Sequence, residues 1–249
     1  MCFEPDSSPP IPPISGAAVE HEDLVLEAAD GNRFSAFVAA PDDPAAVGVV
    51  VLPDVRGLYR FYEELALRFA ERGISAVAID YFGRTAGVGK RGDDFPYPDH
   101  VAQTTEAGVQ ADIAAAVAYL RDRGQTSIFT VGFCFGGRLS WLAGVGGHGL
   151  AGAVGFYGGS GDRGDWIGPA NRAGEIAAPV LALQAGDDPN ILPEMNAAFD
   201  EALTAAGVEH EIVTYDGAPH SFFDRKQEQY QDASDDAWAR TLAFIERHS

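Results

Sequence analysis

Three residue types that together can activate an acyl nucleophile recur along this chain: Cys134, an aspartate at 187 or 188, and His220. Cys134 stands in Gly132-Phe133-Cys134-Phe135-Gly136. The β-branched and aromatic run 127–131 before it reads as a buried strand, and 138–143 after it reads as a helix. A nucleophile at the tip of such a strand–turn–helix sits on strained backbone. The residues two before and two after it lie where strand and helix nearly touch, so neither position has room for a Cβ. A free cysteine is otherwise often a small buried hydrophobe, so the pentapeptide depends on its partners.

A thiol attacking an acyl carbon needs a base, a group to orient that base, and donors for the developing oxyanion. The chain order of nucleophile, acid and histidine is one in which strand–turn–helix hydrolases supply them. His220 stands in Gly217-Ala218-Pro219-His220-Ser221-Phe222, a loop after the last expected strand. Of the other histidines, His21 and His148 match no such position, and His100, His210 and His248 fall near element ends. Asp187 and Asp188 compete for the acid role. The expected oxyanion donors are the backbone N–H groups of Phe135, after the nucleophile, and Val55, in the loop after an early strand.

These side chains have to be delivered by elements, and the patterning supplies them. Residues 1–17 are rich in Pro and Ser and read as an extended tail, pinned by Ile11 and Ile14. Strands at 23–29 and 33–39 flank the hairpin turn Asp30-Gly31-Asn32. Near-continuous apolar runs at 47–52, 74–79, 127–131, 150–157 and 179–185 read as parallel strands buried on both faces. A last strand is expected at 210–215. Helical spacing marks 61–72, 101–123, 194–206 and 232–247, and a long polar loop spans 80–100. Strands alternating with helices imply a doubly wound, mainly parallel sheet. No linker or repeat divides residues 18–249, which read as a single domain. In such sheets, sites form beyond the carboxyl ends of strands, where Asp54, Arg84, Cys134, Tyr157, Asp188 and His220 all fall.

Composition narrows the function. The 249 residues carry a formal net charge of −20, which argues against nucleic acid or an anionic membrane surface as partner. Only Lys90 and Lys226 are lysines, so positive charge is almost all guanidinium. Two cysteines, Cys2 and Cys134, make no disulfide framework, and a reduced compartment is the simplest reading. No signal-peptide pattern and no transmembrane run is evident, so a cytoplasmic location is expected. A monomer is compatible with the sequence. No metal-ligand pattern and no C-x-x-C pair is present, which argues against a redox thiol.

The motifs resemble the dienelactone hydrolases, Cys-dependent members of the α/β-hydrolase superfamily, over about residues 20–248. The likeness rests on Gly132-Phe133-Cys134-Phe135-Gly136-Gly137 and on His220-Ser221-Phe222. Gly48-Val49-Val50-Val51 with Asp54 and Gly57, and Asp80-Tyr81-Phe82 with Arg84, add to it. Asp188-Pro189-Asn190-Ile191 resembles the acid loop of many hydrolases, which favours Asp188 over Asp187. The resemblance implies an α/β-hydrolase fold, with a mainly parallel sheet, helices on both faces and a leading hairpin. It also implies hydrolysis of a lactone or ester without metal or organic cofactor. In those enzymes a glutamate holds the resting thiol; the matching residue is Asp54, one methylene shorter. Two arginines there bind the substrate carboxylate. Arg84 matches the first, and the second falls on Asp224, with Arg225 one position beyond. Tyr157 and Phe222 complete the expected substrate wall.

The sequence thus leads to a Cys134–Asp188–His220 ester or lactone hydrolase acting through an acyl-enzyme on a small molecule. A thioesterase or neutral-ester hydrolase on the same triad, and a non-catalytic binding protein on a hydrolase scaffold, are the competing readings.

Overall fold

A computed structural model describes residues 3–4 and 6–249 of the chain, so Cys2 lies outside the described residues. Strands β1 (Val19–Glu27) and β2 (Arg33–Pro41) form the expected hairpin. Gly31 takes a positive φ of 84° at its tip, and Asp30 Oδ1 accepts from the Asn32 N–H at 3.2 Å. There follow β3 (Val47–Leu52), α1 (Arg60–Ala70), β4 (Ser75–Ile79), α2 (Gly83–Ala86), α3 (Tyr97–Gln103), α4 (Glu106–Arg121), β5 (Ser127–Phe133), α5 (Phe135–Ala143) and β6 (Gly152–Phe156). The chain closes with β7 (Val180–Asp187), α6 (Pro193–Ala206), β8 (His210–Pro219) and α7 (Gln231–His248).

All eight strands join one sheet in the order β1-β2-β4-β3-β5-β6-β7-β8. The β1–β2 and β2–β4 pairings are antiparallel and the rest parallel. This is the α/β-hydrolase arrangement, and the apolar runs explain it. Alternate residues of a strand point to opposite faces, so Val49 and Val51 pack beneath α1 and α7, while Val50 and Leu52 pack against α4 and α5. Trp141 of α5 meets Phe199 of α6 on that second face. Both faces are covered, and the central strands accordingly carry no polar alternation.

Four expectations change. The loop expected over 80–100 holds the short helix α2 and the first turn of α3. The helix expected over 101–123 is two helices: Thr105 caps α4, its side chain accepting from the Gly108 N–H, and Thr104 is extended. The apolar spacing runs across this break, which hides it. The loop expected from Asp216 is instead strand, because β8 continues to Pro219 beyond a register shift at Ala185/Asp187. Of the two tail isoleucines, Ile11 is buried and Ile14 exposed. Among the described residues, no helix is long and apolar enough to cross a membrane.

Candidate active site

The turn after β5 is built as sterics demand. Cys134 has φ 56° and ψ −114°, between the last residue of β5 and the first of α5. A Cβ on Gly132 would overlap the Gly136 carbonyl, and one on Gly136 would overlap the carbonyls of Leu52 and Pro53. A Cβ on Gly137 would stand 2.7 Å from the Phe156 oxygen. Glycine is therefore required at each of these positions. The Cys134 N–H donates to the Phe156 carbonyl at 3.0 Å, tying the turn to β6. The thiol stands at the first turn of α5, where unpaired N–H groups and the helix dipole favour an anion.

The register shift between β7 and β8 separates the two aspartates. Asp187 still pairs with Pro219 in the ladder and is exposed. Asp188 turns inward and is 6% exposed. Its Oδ2 lies 2.5 Å from His220 Nδ1, and its Oδ1 accepts from the Asn190 N–H at 2.9 Å. Burial opposes ionisation of Asp188, but the hydrogen bonds from His220 and Asn190 outweigh it and hold the carboxyl below its ordinary value. In the neutral imidazole, an Nδ1–H donated to this carboxylate leaves Nε2 as the acceptor.

Cys134 and His220 border one cavity of about 480 Å³, together with Val55, Phe135, Tyr157 and Arg163. Both expected oxyanion residues thus reach the cavity that holds the thiol. The Tyr157 ring packs against His220 with centroids 4.9 Å apart. Phe222 is fully buried behind Tyr157 rather than on the cavity wall.

Asp54 is 1% exposed. Its Oδ1 accepts from the Arg56 N–H at 2.8 Å and its Oδ2 from the Tyr59 hydroxyl at 3.3 Å. The Asp54 N–H donates to the Tyr62 hydroxyl at 2.8 Å. Burial pushes the Asp54 carboxyl up to about 6, against the pull of the Arg56 N–H and charge and of the tyrosine hydroxyls. The Tyr157 hydroxyl is raised well above 10 by burial and then by the charges of Cys134 and Asp54. Thiol, carboxyl and phenol therefore share one electrostatic neighbourhood.

The two arginines expected on substrate are occupied elsewhere. Arg84 donates to Asp112 Oδ1 at 2.8 Å and to the Gly108 carbonyl at 3.1 Å, and it is also paired with Asp30. It joins the hairpin turn to α4 and does not border the cavity. Neither Asp80 nor Asp54 is its partner in these pairings; Asp80 is held by Arg91 at 2.7 Å. Arg225 donates its N–H to the Ser8 carbonyl at 3.0 Å and its guanidinium to the Pro9 carbonyl at 3.3 Å. Asp224 Oδ2 accepts from Ser7 Oγ at 2.6 Å. Sequence reasoning missed two arginines on this cavity: Arg138, buried and donating to the Gly159 carbonyl at 3.2 Å, and Arg163, whose guanidinium stands 4.7 Å from the Phe135 ring at the cavity rim. The place of Arg163 in a Gly-rich loop gave no periodic signal by which to find it.

Comparison with known proteins agrees with this architecture. Residues 34–249 match the dienelactone hydrolase family. The chain is 29% identical to a protein of Salmonella typhi named "Putative carboxymethylenebutenolidase", over 88% of this chain and 84% of that one. A protein of the same name from Escherichia coli (strain K12) is 27% identical, over 97% and 94%. The crystal structure of a "Putative Dienelactone Hydrolase" from Klebsiella pneumoniae superposes with a TM-score of 0.81 at 26% identity, covering 92% of this chain and 99% of the other. With the family match spanning the sheet from β2 onward and every site residue named above, the chain belongs to the dienelactone hydrolase family and is a hydrolase of that kind.

Proposed function

We propose that the protein hydrolyses a carboxylic ester or lactone through a Cys134–Asp188–His220 triad and a thioester acyl-enzyme. One observation carries the reading: His220, paired with Asp188 at 2.5 Å, borders the same cavity as a cysteine held at positive φ. His220 Nε2 takes the proton of Cys134 Sγ, and the thiolate attacks the acyl carbon. The backbone N–H groups of Val55 and Phe135 receive the oxyanion. The acyl C–O bond breaks, and His220 returns the proton to the leaving oxygen; in a lactone that oxygen stays tethered to the acyl group. Water, deprotonated by His220, then cleaves the thioester, and Cys134 recovers its proton. Asp188 holds the Nδ1–H tautomer and stabilises the imidazolium. At rest, Asp54 disfavours the thiolate, because two anions in one dry site repel.

Neither Arg84 nor Arg225 borders the cavity, and Arg84 is paired with Asp112, which favours a second substrate reading, a neutral ester or thioester acyl group. Of the two arginines on the cavity, Arg138 is buried and donates to the Gly159 and Trp166 carbonyls, so Arg163 is then the guanidinium that would meet an anionic substrate. The test is hydrolysis of p-nitrophenyl acetate and of a panel of carboxylate-bearing and neutral lactones, with mass spectrometry of the quenched protein. Turnover with an acyl adduct on Cys134, both lost in Cys134→Ala, is the expected result. A Cys134→Ala protein that keeps more than a few per cent of the rate refutes the nucleophile, whose loss costs several orders of magnitude.

A further inference from the structure

Residues 3–4 and 6–11 form neither helix nor strand and lie outside the residues that match the family, yet most of them are buried. Phe3 is 2% exposed, and its ring stacks on Phe61 with centroids 3.9 Å apart. It also meets the edge of Tyr157 at 6.2 Å, and Tyr157 is a wall of the cavity. Ser7 is fully buried, and its hydroxyl donates to Asp224 Oδ2 at 2.6 Å. The next bonds follow in step along the chain. The Arg225 N–H donates to the Ser8 carbonyl at 3.0 Å, Arg225 Nη2 to the Pro9 carbonyl at 3.3 Å, and Gln231 Nε2 to the Pro10 carbonyl at 3.1 Å. Lys226 pairs with Asp6. On the opposite side, Glu4 lies 3.8 Å from Arg56, the neighbour of the oxyanion residue Val55.

These contacts converge on the loop that begins with His220. Asp224 is four residues from His220 and is joined back to it by short steps. The Asp224 N–H donates to the Phe222 carbonyl at 2.8 Å, and the Phe222 N–H donates to the Pro219 carbonyl at 3.1 Å. Ser221, between them, holds a positive φ of 63°. A non-glycine residue in that region persists only where its surroundings hold it, and the Ser7–Asp224 bond is one of those holds. Asp224 is itself 6% exposed, so losing Ser7 leaves a buried carboxylate short of a donor.

We propose that the N-terminal segment is a positioning strap for the active centre, acting through Phe3, Glu4 and residues 6–11. The strap fixes the 220–226 loop so that His220 meets Asp188 and borders the cavity with Cys134, and Phe3 backs Tyr157 from behind. This rests on the triad reading above. The strap residues touch no reacting atom and act through the loop.

The test uses the full chain with Ser7→Ala, and a second protein lacking residues 1–10. Steady-state kinetics on p-nitrophenyl acetate are combined with hydrogen exchange of residues 220–226. Both variants should lose roughly ten- to a hundred-fold in kcat, as a misplaced base does, with KM little changed and the loop amides exchanging faster. A synthetic peptide of residues 1–13 should restore kcat of the shortened protein saturably, and a scrambled peptide should not. A folded Ser7→Ala protein with wild-type kcat overturns the strap, even with a lowered melting temperature, and it decides alone if the shortened protein does not fold. If the wild type cleaves no ester or lactone, the hydrolase reading fails separately. The strap is then read from alkylation of Cys134 by iodoacetamide in a Cys2→Ser background. A loosened His220 moves that profile toward higher pH, because the thiol loses the base that takes its proton, and an unmoved profile overturns the strap.

Discussion

Replacing Asp54 with asparagine should make the protein more stable at neutral pH and leave it unchanged in acid. Asp54 is 1% exposed, and burial raises its carboxyl from 3.8 to about 6. At about 1.4 kcal/mol per decade of pH, that displacement costs the folded state about 3 kcal/mol once the group is ionised. The direction follows from proton counting. Below about pH 4 the carboxyl is protonated both folded and unfolded and costs nothing. From there to about pH 6 the folded chain keeps a proton that the unfolded chain has released, so stability falls as pH rises. Above about pH 6 the loss is complete. Asparagine removes the charge and keeps the bonding. Its oxygen can accept from the Arg56 N–H, and its amide can donate to the Tyr59 oxygen. Urea unfolding at pH 4 and pH 8 measures the difference, and groups shared by both proteins cancel from it. The variant should gain up to about 3 kcal/mol at pH 8, or roughly 6–12 °C in melting temperature for a chain of this size, and less than about 0.5 kcal/mol at pH 4. In a Cys2→Ser background it should also alkylate faster at Cys134 at neutral pH. A variant less stable than wild type at pH 8, or displaced equally at both pH values, refutes the argument.

Two further outcomes separate roles. Asp188→Asn should lower kcat by orders of magnitude through a misoriented His220, while Asp187→Asn, exposed in the ladder, should leave kinetics within a factor of about two; the reverse pattern moves the acid to Asp187. Arg84→Met should reduce turnover of carboxylate-bearing and neutral substrates equally, and should destabilise the fold by about 3–5 kcal/mol at pH 8 by stranding the buried Asp112. Burial already raises Asp112 to about 6 with Arg84 beside it, and removing Arg84 raises it further, so the penalty should shrink as pH falls toward 6 and be absent below it; a selective rise in KM for carboxylate-bearing lactones would instead return Arg84 to the substrate.

What could be read from the sequence was what local sterics and periodicity determine. Gly132 and Gly136 are legible because a strand–turn–helix leaves no space for a Cβ, and the buried strands because doubly covered strands show no polar alternation. Asp188 and His220 were readable as types at the ends of two strands. Contacts set by tertiary approach were not. Arg84 looks free in the chain, but Asp30 and Asp112, 54 and 28 positions away, take its guanidinium. Ser7 and Asp224 are 217 positions apart, and nothing in either neighbourhood announces their bond. The reading of Asp216–Pro219 as loop followed its Gly and Pro, which normally stop a strand, but a register shift lets β8 continue past them.

The residues that break local rules are not scattered. Among the described residues, the non-glycine positions with positive φ are Cys134, Tyr157 and Ser221. They stand at the ends of β5, β6 and β8, around or directly behind one cavity. Backbone of this kind costs on the order of 1–3 kcal/mol per residue and survives only where packing determines it. Each is held by a contact from another element: the Cys134 amide by Phe156, the Tyr157 amide by Leu183, and the loop around Ser221 by Ser234 and Ser7. The buried carboxyl of Asp54 adds a further cost in the same place. A fold selected for stability alone would relax all four, with glycine at the turns and an amide or apolar side chain at 54. The buried carboxyls of Asp112 and Asp80 are ion-paired, with Arg84 and Arg91; that the strained backbone and the raised carboxyl of Asp54 converge on the thiol is the physical reason to locate the chemistry there.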